Sequence, residues 1–147
     1  MTDLLGLFEA HLTVADLDRS IAFYRDVVRL DVAHVVRDRG AAFFWIGGRG
    51  RSMLGLWRGG DGPQHTSLHL AFSAPLAGVL ESPRTLRAAG VTPLDFDGQP
   101  TDAPSVLAWM PAASIYFRDP DGHLLEYLAM LSDPPQPDRG VVRWGDW

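Results

Sequence analysis

The sequence predicts an α+β fold in which a strand–helix–three-strand (βαβββ) pattern occurs twice. Two observations support this prediction. Hydrophobic patterns of strand and helix period follow the same order in both halves, and His-Leu-Thr-Val at 11–14 and His-Leu-Ala-Phe at 69–72 hold matching places in them. The loop Gly59-Gly60-Asp61-Gly62-Pro63 separates the halves. We therefore predict one domain over residues 1–131, with module 1 at about 1–60 and module 2 at about 64–131, and a C-terminal tail at 132–147.

The first module begins with a predicted strand, Leu4–Val14, whose side chains alternate between two faces. One face is apolar and should pack on the core, whereas the other carries Leu7, Glu9, His11 and Thr13. Asp16 is a suitable N-cap for a helix over about Leu17–Val28, with apolar residues at helical spacing. Three strands separated by glycine-containing turns are then predicted at Asp31–Arg37, Ala41–Ile46 and Ser52–Trp57.

The second module repeats this order. A strand at Ser67–Phe72 contains His69, and a helix is predicted over Leu76–Ala89, re-initiated at Ser82-Pro83 and closed by Gly90. The remaining predicted elements are a weak strand near Thr92–Phe96, a strand at Ser105–Met110, and a hairpin of Ser114–Phe117 and Leu124–Tyr127 around Asp119-Pro120-Asp121-Gly122. We expect the tail, with its three prolines and two tryptophans, to be extended and packed on the outside or used at a subunit contact.

The composition excludes several classes of protein. A net charge of −5 argues against nucleic acid as a partner. No apolar run approaches the length of a membrane span and the N-terminus lacks a signal pattern, so we predict a cytoplasmic protein that does not bind membranes. Without cysteine there is no disulfide or thiolate chemistry, and without lysine there is no Schiff base. An enzyme with this composition would use His, Asp, Glu, Tyr, Ser, Arg or a bound metal.

Three residues suggest a metal site. Glu126 is an acid in an otherwise apolar strand, where a charge is rarely buried unless it is paired or bound to metal. His11 and His69 occupy matched strands of the repeat, and all three residues lie on the face opposite the apolar set of their own strand. Two imidazoles and one carboxylate form a facial triad that leaves coordination positions open. Taken singly, each histidine is more simply a hydrogen-bonded structural residue, and Glu126 could pair with an arginine such as Arg58.

Further candidates surround this triad. Tyr116 and Ser114 alternate on the strand beside Glu126, so Tyr116 is either a pocket-facing donor or a core tyrosine with a satisfied hydroxyl. Thr13 is a candidate pocket residue and Glu9 a candidate general base, since both share the face of His11. Arg58 could anchor an anionic substrate, although a solvated arginine at a strand end is the simpler reading. The remaining histidines, His34, His65 and His123, receive structural interpretations.

The paired modules, the motif His-Leu-Thr-Val-Ala-Asp-Leu-Asp-Arg-Ser-Ile-Ala-Phe-Tyr-Arg at 11–25, and Tyr116 followed by Asp-Pro-Asp-Gly-His and Glu126 resemble the vicinal oxygen chelate superfamily. This superfamily includes glyoxalase I, fosfomycin-resistance proteins, type I extradiol dioxygenases, methylmalonyl-CoA epimerase and the metal-free bleomycin-resistance proteins. The resemblance covers the chain to about Leu131. It implies a homodimer of chains in which the sheets of the two modules form a cup. It also implies one divalent metal ion per chain (Fe, Mn, Ni or Zn), which two adjacent oxygen atoms of the substrate chelate.

The differences from individual branches are equally informative. Glyoxalase I adds a carboxylate from the fourth strand, and we take Leu54 as the counterpart here, with no acid nearby. The cations that hold phosphonate in fosfomycin-resistance proteins are not evident at Pro111-Ala-Ala, no Glu precedes Phe43-Phe44 where the hydrolase type has its base, and Ser105–Met110 lacks the acid–base His of the dioxygenases.

Two functions follow from the sequence. The first is a metal-dependent enzyme of unassigned reaction, with His11, His69 and Glu126 as ligands, acting on a small molecule through adjacent oxygens. The alternative is a metal-free binding or sequestering protein of the bleomycin-resistance type, in which Trp45, Trp57 and Trp109 could line the cup.

Overall fold

The computed structural model describes residues 6–59 and 67–147. They form two compact units, divided between residues 66 and 67. Of the loop predicted to separate the modules, residues 60–63 lie outside the described part of the chain, as do Leu4, Leu5 and His65. Each unit contains one α-helix and one mixed β-sheet, so the predicted α+β class with two βαβββ modules is confirmed.

The first unit contains a four-stranded sheet and one helix. Its elements are β1 (Glu9–Val14), α1 (Leu17–Asp26), β2 (Asp31–Val36), β3 (Ala41–Ile46) and β4 (Ser52–Arg58). The strand order is β1-β4-β3-β2, with β1 parallel to β4 and the other pairs antiparallel. The predicted strands agree with these bounds except at the start, since β1 begins at Glu9 and the described residues before it are not in a strand.

Helix α1 covers one face of this sheet. The Asp16 side chain accepts a hydrogen bond from the Arg19 amide at 2.9 Å, which confirms the predicted N-cap. The predicted apolar positions are all buried: Leu17, Ile21, Tyr24 and Val28. The helix ends two residues earlier than predicted because Arg29 adopts a φ of 66°, a left-handed conformation that terminates helices.

The second unit repeats this topology and adds one strand. Its elements are β5 (His69–Ser73), α2 (Leu76–Ala88), β6 (Ser105–Leu107), β7 (Ala112–Arg118), β8 (Leu124–Met130) and β9 (Val141–Arg143). The strand order is β5-β8-β7-β6-β9, in which the first four strands match β1-β4-β3-β2 in position and direction. Val79 of α2 packs on one face of the sheet against Ala113, Ile115 and Ala129.

The second helix differs from the prediction at Pro83. Helix α2 runs without interruption through this residue rather than starting again there. Proline has no amide hydrogen, so the Val79 carbonyl four residues earlier loses its helical donor. The Ser82 hydroxyl donates to that same carbonyl at 2.7 Å. This hydrogen bond replaces the missing one and satisfies a buried acceptor, which allows the helix to continue.

Three segments after α2 also depart from expectation. The predicted strand near Thr92–Phe96 is wrong, because only Leu94 forms isolated bridges, one of them to Tyr116. The strand predicted to extend to Met110 ends at Leu107. The tail is not merely packed outside: β9 pairs antiparallel with β6, and Trp144 packs on the core beneath α2. No helix in residues 6–59 or 67–147 is long and apolar enough to cross a membrane.

Tyr127 makes the stability of the fold sensitive to alkaline pH. Burial raises the pKa of its phenol from 10.0 to about 12. Above pH 10 the unfolded chain therefore releases this proton while the folded chain retains it, and the free energy of unfolding falls as pH rises. We expect Tyr127→Phe to flatten this fall, measured by urea unfolding between about pH 8 and about pH 11. An equal loss of stability in both proteins would contradict the assignment.

Candidate functional site

The second sheet has one face covered by α2 and one face that carries polar side chains. Directly paired residues on neighbouring strands share a face, and residues two apart along a strand do so as well. The register pairs Glu126 with Ala71 on one side and Tyr116 on the other, and it pairs Ser114 with Ser105. The face opposite α2 therefore carries His69, Ala71, Glu126, Tyr116, Ser114 and Ser105.

His69 and Glu126 are in direct contact on this face. The His69 Nε2 atom lies 2.9 Å from Glu126 Oε2. Only 6% of the Glu126 side chain is exposed, whereas 49% of the His69 side chain is exposed. The direct neighbour of Glu126 on β5 is Ala71, whose small side chain leaves the diagonal approach open to the His69 ring. The buried carboxylate of Glu126 thus contacts a solvent-exposed imidazole. Together the two side chains are a suitable pair of ligands for a divalent metal.

Tyr116 lies directly opposite Glu126 on the neighbouring strand. It is buried, and its ring centroid is 6.1 Å from that of His69. Burial and, secondly, the negative charge of Glu126 raise the pKa of the phenol well above its ordinary value. Tyr116 is therefore a neutral hydrogen-bond donor at every physiological pH.

Ser114 occupies the same face, two residues before Tyr116. Its hydroxyl is fully buried and has no hydrogen-bond partner among the described residues. A substrate in the open part of this face would not reach this hydroxyl without a movement of the side chains above it. The structure thus brings Ser114 to the predicted face, but beneath its surface.

The first sheet has an equivalent face, opposite α1. The register places these residues on it: Glu9, His11, Thr13, Ala41, Phe43, Trp45, Met53, Gly55 and Trp57. Both tryptophans that were expected to line a ligand site in this module are included. Trp109 lies in the turn after β6 and is largely exposed. The parity predicted for His11, His69 and Glu126 agrees with the observed faces.

Both ring nitrogens of His11 have partners. The Trp57 indole N–H donates to His11 Nδ1 at 2.7 Å, and Glu9 Oε1 lies 3.0 Å from His11 Nε2. An indole nitrogen can only donate, so Nδ1 carries no hydrogen and Nε2 donates to Glu9. A metal ion that binds either nitrogen would displace one of these two contacts.

Gly55 allows the His11 ring to lie flat against β4. The two residues are direct neighbours, and a Cβ at Gly55 would lie only 3.2 Å from the ring. The rings of His11 and Trp57 are nearly parallel, with an interplanar angle of 18° and a centroid distance of 5.8 Å. Together with the Phe43 ring, which lies edge-on to both, they form an aromatic surface on this face of the sheet.

The register also corrects one prediction about β4. His11 pairs with Gly55 and Thr13 with Trp57, just as His69 pairs with Leu124 and Ala71 with Glu126. The counterpart of Glu126 in the first unit is therefore Trp57. The prediction that Leu54 stands in place of the fourth-strand carboxylate of glyoxalase I is wrong, because Leu54 is fully buried on the face that α1 covers. Strand β4 contains no Asp or Glu, so it supplies no second carboxylate.

The other candidates are divided between the faces. Thr13 is exposed on the face of His11. Arg58 pairs with Val14 and so belongs to the face that α1 covers, at the end of the strand. His123 accepts a hydrogen bond from the Leu68 amide at 3.1 Å, which agrees with its structural interpretation. Among the described residues, no three His, Asp or Glu side chains lie close enough together to hold a metal ion.

The sequence profile of the Glyoxalase/Bleomycin resistance protein/Dioxygenase superfamily matches residues 6–127. The chain belongs to this superfamily. The predicted resemblance is thus confirmed over both modules, and the superfamily includes enzymes such as lactoylglutathione lyase.

Several solved structures are similar over most of the chain. An integron cassette protein from the mobile metagenome of the Halifax Harbour sewage outfall is 28% identical, with 86% of this chain and 100% of that chain covered and a TM-score of 0.74. Lactoylglutathione lyase from Agrobacterium tumefaciens is 25% identical (86% and 95% covered, TM-score 0.67). The fosfomycin resistance protein FosX from Listeria monocytogenes, in complex with Mn(II) and sulfate, is 27% identical (88% and 94% covered, TM-score 0.63).

Several residues on these faces were not recognised from the sequence. Gly55 interrupts the apolar strand Ser52–Arg58, and a glycine inside a strand is a known signal of close approach. Phe96 is half exposed and its ring lies edge-on to Tyr116 at 6.3 Å, but its place in an irregular segment gave no signal. Arg39 lies over the Trp57 ring, a contact that depends on long-range pairing.

Proposed function

We propose that this member of the superfamily is a metal-dependent enzyme that acts on a small molecule through two adjacent oxygen atoms. The observation that carries the proposal is the contact of buried Glu126 with half-exposed His69 on the uncovered face of the second sheet. A carboxylate so deeply buried is rarely left without a partner or a metal ion, and an imidazole is itself a common metal ligand. His11 occupies the matched position of the first module and is the proposed third ligand.

The donor set fits a divalent ion with open coordination positions. Two imidazoles and one carboxylate suit Fe, Mn, Ni or Zn, and the identity of the metal is left open. A metal bound there would polarise adjacent substrate oxygens as a Lewis acid. Two small residues allow the ligands their orientation. Gly55 has no side chain that would clash with the His11 ring, and the small side chain of Ala71 allows His69 to contact Glu126.

The neighbouring side chains have distinct proposed roles. Tyr116 is held neutral by burial and by Glu126, so it can donate a hydrogen bond to a substrate oxygen but cannot serve as a base. Glu9 is the proposed base, because its carboxylate lies beside His11 and is partly exposed. Thr13 is a proposed substrate contact on the same face. The reaction itself is unassigned.

Elemental analysis tests this proposal. After reconstitution with Mn²⁺, Fe²⁺, Ni²⁺ or Zn²⁺ and removal of excess ion, we expect about one metal per chain for at least one of them. His69→Gln should lose the metal, whereas His34→Gln, at an exposed histidine outside the proposed set, should retain it. A protein that holds no metal after any of these treatments would refute the proposal.

A second candidate function has its own support. Trp57 stands where the second carboxylate of glyoxalase I would be, and it engages a lone pair of His11. The aromatic surface of His11, Trp57 and Phe43 could hold a planar ligand without metal, as in a sequestering protein. Ligand binding that persists in excess chelator and in Glu126→Gln would favour this function. A homodimer and a cytoplasmic location remain predictions.

A further inference from the structure

Arg39 and the proposed metal ligand His11 both contact the side chain of Trp57. It ends the short 3₁₀ turn Arg37–Arg39 after β2, and Gly40, with a φ of 61°, then directs the chain into β3. The Arg39 Cζ atom lies 5.0 Å from the centroid of the Trp57 ring. The Trp57 N–H donates a hydrogen bond to His11. The side chains of Arg39, Trp57 and His11 are therefore in successive contact along one face of the first sheet.

The guanidinium of Arg39 has no carboxylate partner among residues 6–59 and 67–147. Other arginines do: Arg37 pairs with Asp18, Arg25 with Asp26 and Arg143 with Asp102. The aromatic contact holds the Arg39 guanidinium over the Trp57 ring, and its N–H donors remain available to a ligand. A stacked guanidinium with unused donors is pre-organised to bind an oxyanion in bidentate geometry.

The distribution of charge supports a ligand on this face. Arg39 lies at the end of the face near Trp57 and Ala41, whereas Glu9 lies at the opposite end, beyond His11. An anionic group of a ligand would therefore be attracted to the Arg39 end and repelled from the Glu9 end. Arg58 offers no such attraction, because its strand position belongs to the face that α1 covers.

We propose that Arg39 binds an oxyanion group, a carboxylate or a phosphonate, of the molecule whose adjacent oxygens bind the metal at His11. This inference rests on the proposed function and names the substrate class of that site. Arg39 and His11 both contact Trp57, at 5.0 Å from guanidinium to indole and 5.8 Å from indole to imidazole, so one small molecule could reach both residues.

A comparison of matched chelators tests this assignment. Dissociation constants for catechol, 3,4-dihydroxybenzoate and 3,4-dihydroxyphenylphosphonate are measured by calorimetry on Mn-loaded protein under anaerobic conditions. In the wild type we expect at least one of the two acids to bind about tenfold more tightly than catechol, the effect of one charge-assisted contact. In Arg39→Met that preference should fall to about twofold or less, with catechol binding unchanged.

The two acids distinguish a carboxylate from a phosphonate as the recognised group. Arg49→Met, which removes one positive charge from the exposed turn before β4, should keep the preference and so controls for net charge. The assignment is overturned if the acid preference is the same in Arg39→Met and the wild type, or if that variant weakens catechol equally. It is also overturned if the protein holds Mn but binds none of the three chelators, and this result would leave the metal site intact. Failure to hold Mn, seen by elemental analysis, would instead refute the proposed function and the inference with it.

Discussion

Glu126→Gln is expected to lower the affinity for a divalent metal by about 100-fold or more while the metal-free protein stays folded. The amide keeps an oxygen that can accept a hydrogen bond from His69 Nε2 but loses the negative charge that a divalent cation requires. Because the amide retains this hydrogen bond, the free energy of unfolding without metal should change by only about 1 kcal/mol. Calorimetric titration with Mn²⁺ and urea unfolding in chelator measure the two quantities.

Glu9→Gln is the matched control for this experiment. Glu9 also contacts a histidine Nε2, at 3.0 Å, but its side chain is 35% exposed and it is not a proposed ligand. We expect its metal affinity to stay within about threefold of the wild type. Equal losses in the two variants would show that general charge attracts the metal. Retention of metal by Glu126→Gln would remove Glu126 from the ligand set.

Local pattern was sufficient to predict the faces of the strands. Side chains in a strand alternate strictly, so the apolar residues around His11 and Glu126 determine which face each occupies. The cap at Asp16 likewise depends only on its own and the next three residues. These features need no knowledge of which strands are neighbours.

The register in which the strands pair could not be predicted from the local sequence pattern. The sequence led to Leu54 as the counterpart of the fourth-strand carboxylate of glyoxalase I, whereas the ladder of β1 with β4 places Trp57, and not Leu54, on the face of His11. Register depends on hydrogen bonds between segments far apart in sequence, and one step in register exchanges the two faces. The contact of Trp57 with His11 follows from the same ladder, and that of Arg39 with Trp57 follows from the pairing of β3 with β4. Both contacts were missed for the same reason.

Two other departures arose from backbone hydrogen bonds. The hydroxyl of Ser82 compensates for the missing donor at Pro83, and a rule based on proline alone predicts a break there. The strand Val141–Arg143 is too short to show an alternating pattern, yet it satisfies the open edge of β6. Propensity describes what a segment prefers in isolation, and both segments are determined by a partner.

Gly55→Val is expected to have the second large effect, through displacement of the His11 ring. A Cβ at this position would lie 3.2–3.3 Å from three atoms of the imidazole, and the two Cγ atoms of valine would approach further. The ring must tilt away, which strains its hydrogen bond to Trp57 and its contact with Glu9. We expect a loss of about 1–3 kcal/mol in the free energy of unfolding, typical of overpacking, and about a tenfold or greater loss of metal affinity.

A double-mutant cycle with His11→Ala isolates this contact. Without the imidazole, the three atoms nearest to the valine Cβ are removed, and the β-branched side chain of valine suits a strand better than glycine does. Gly55→Val should therefore be neutral or stabilising in the His11→Ala background, so that the two substitutions are strongly non-additive in urea unfolding. An equal destabilisation in both backgrounds would mean that the glycine serves the backbone of β4 itself. The cycle thus separates a residue that makes room for a proposed ligand from one that only maintains the strand.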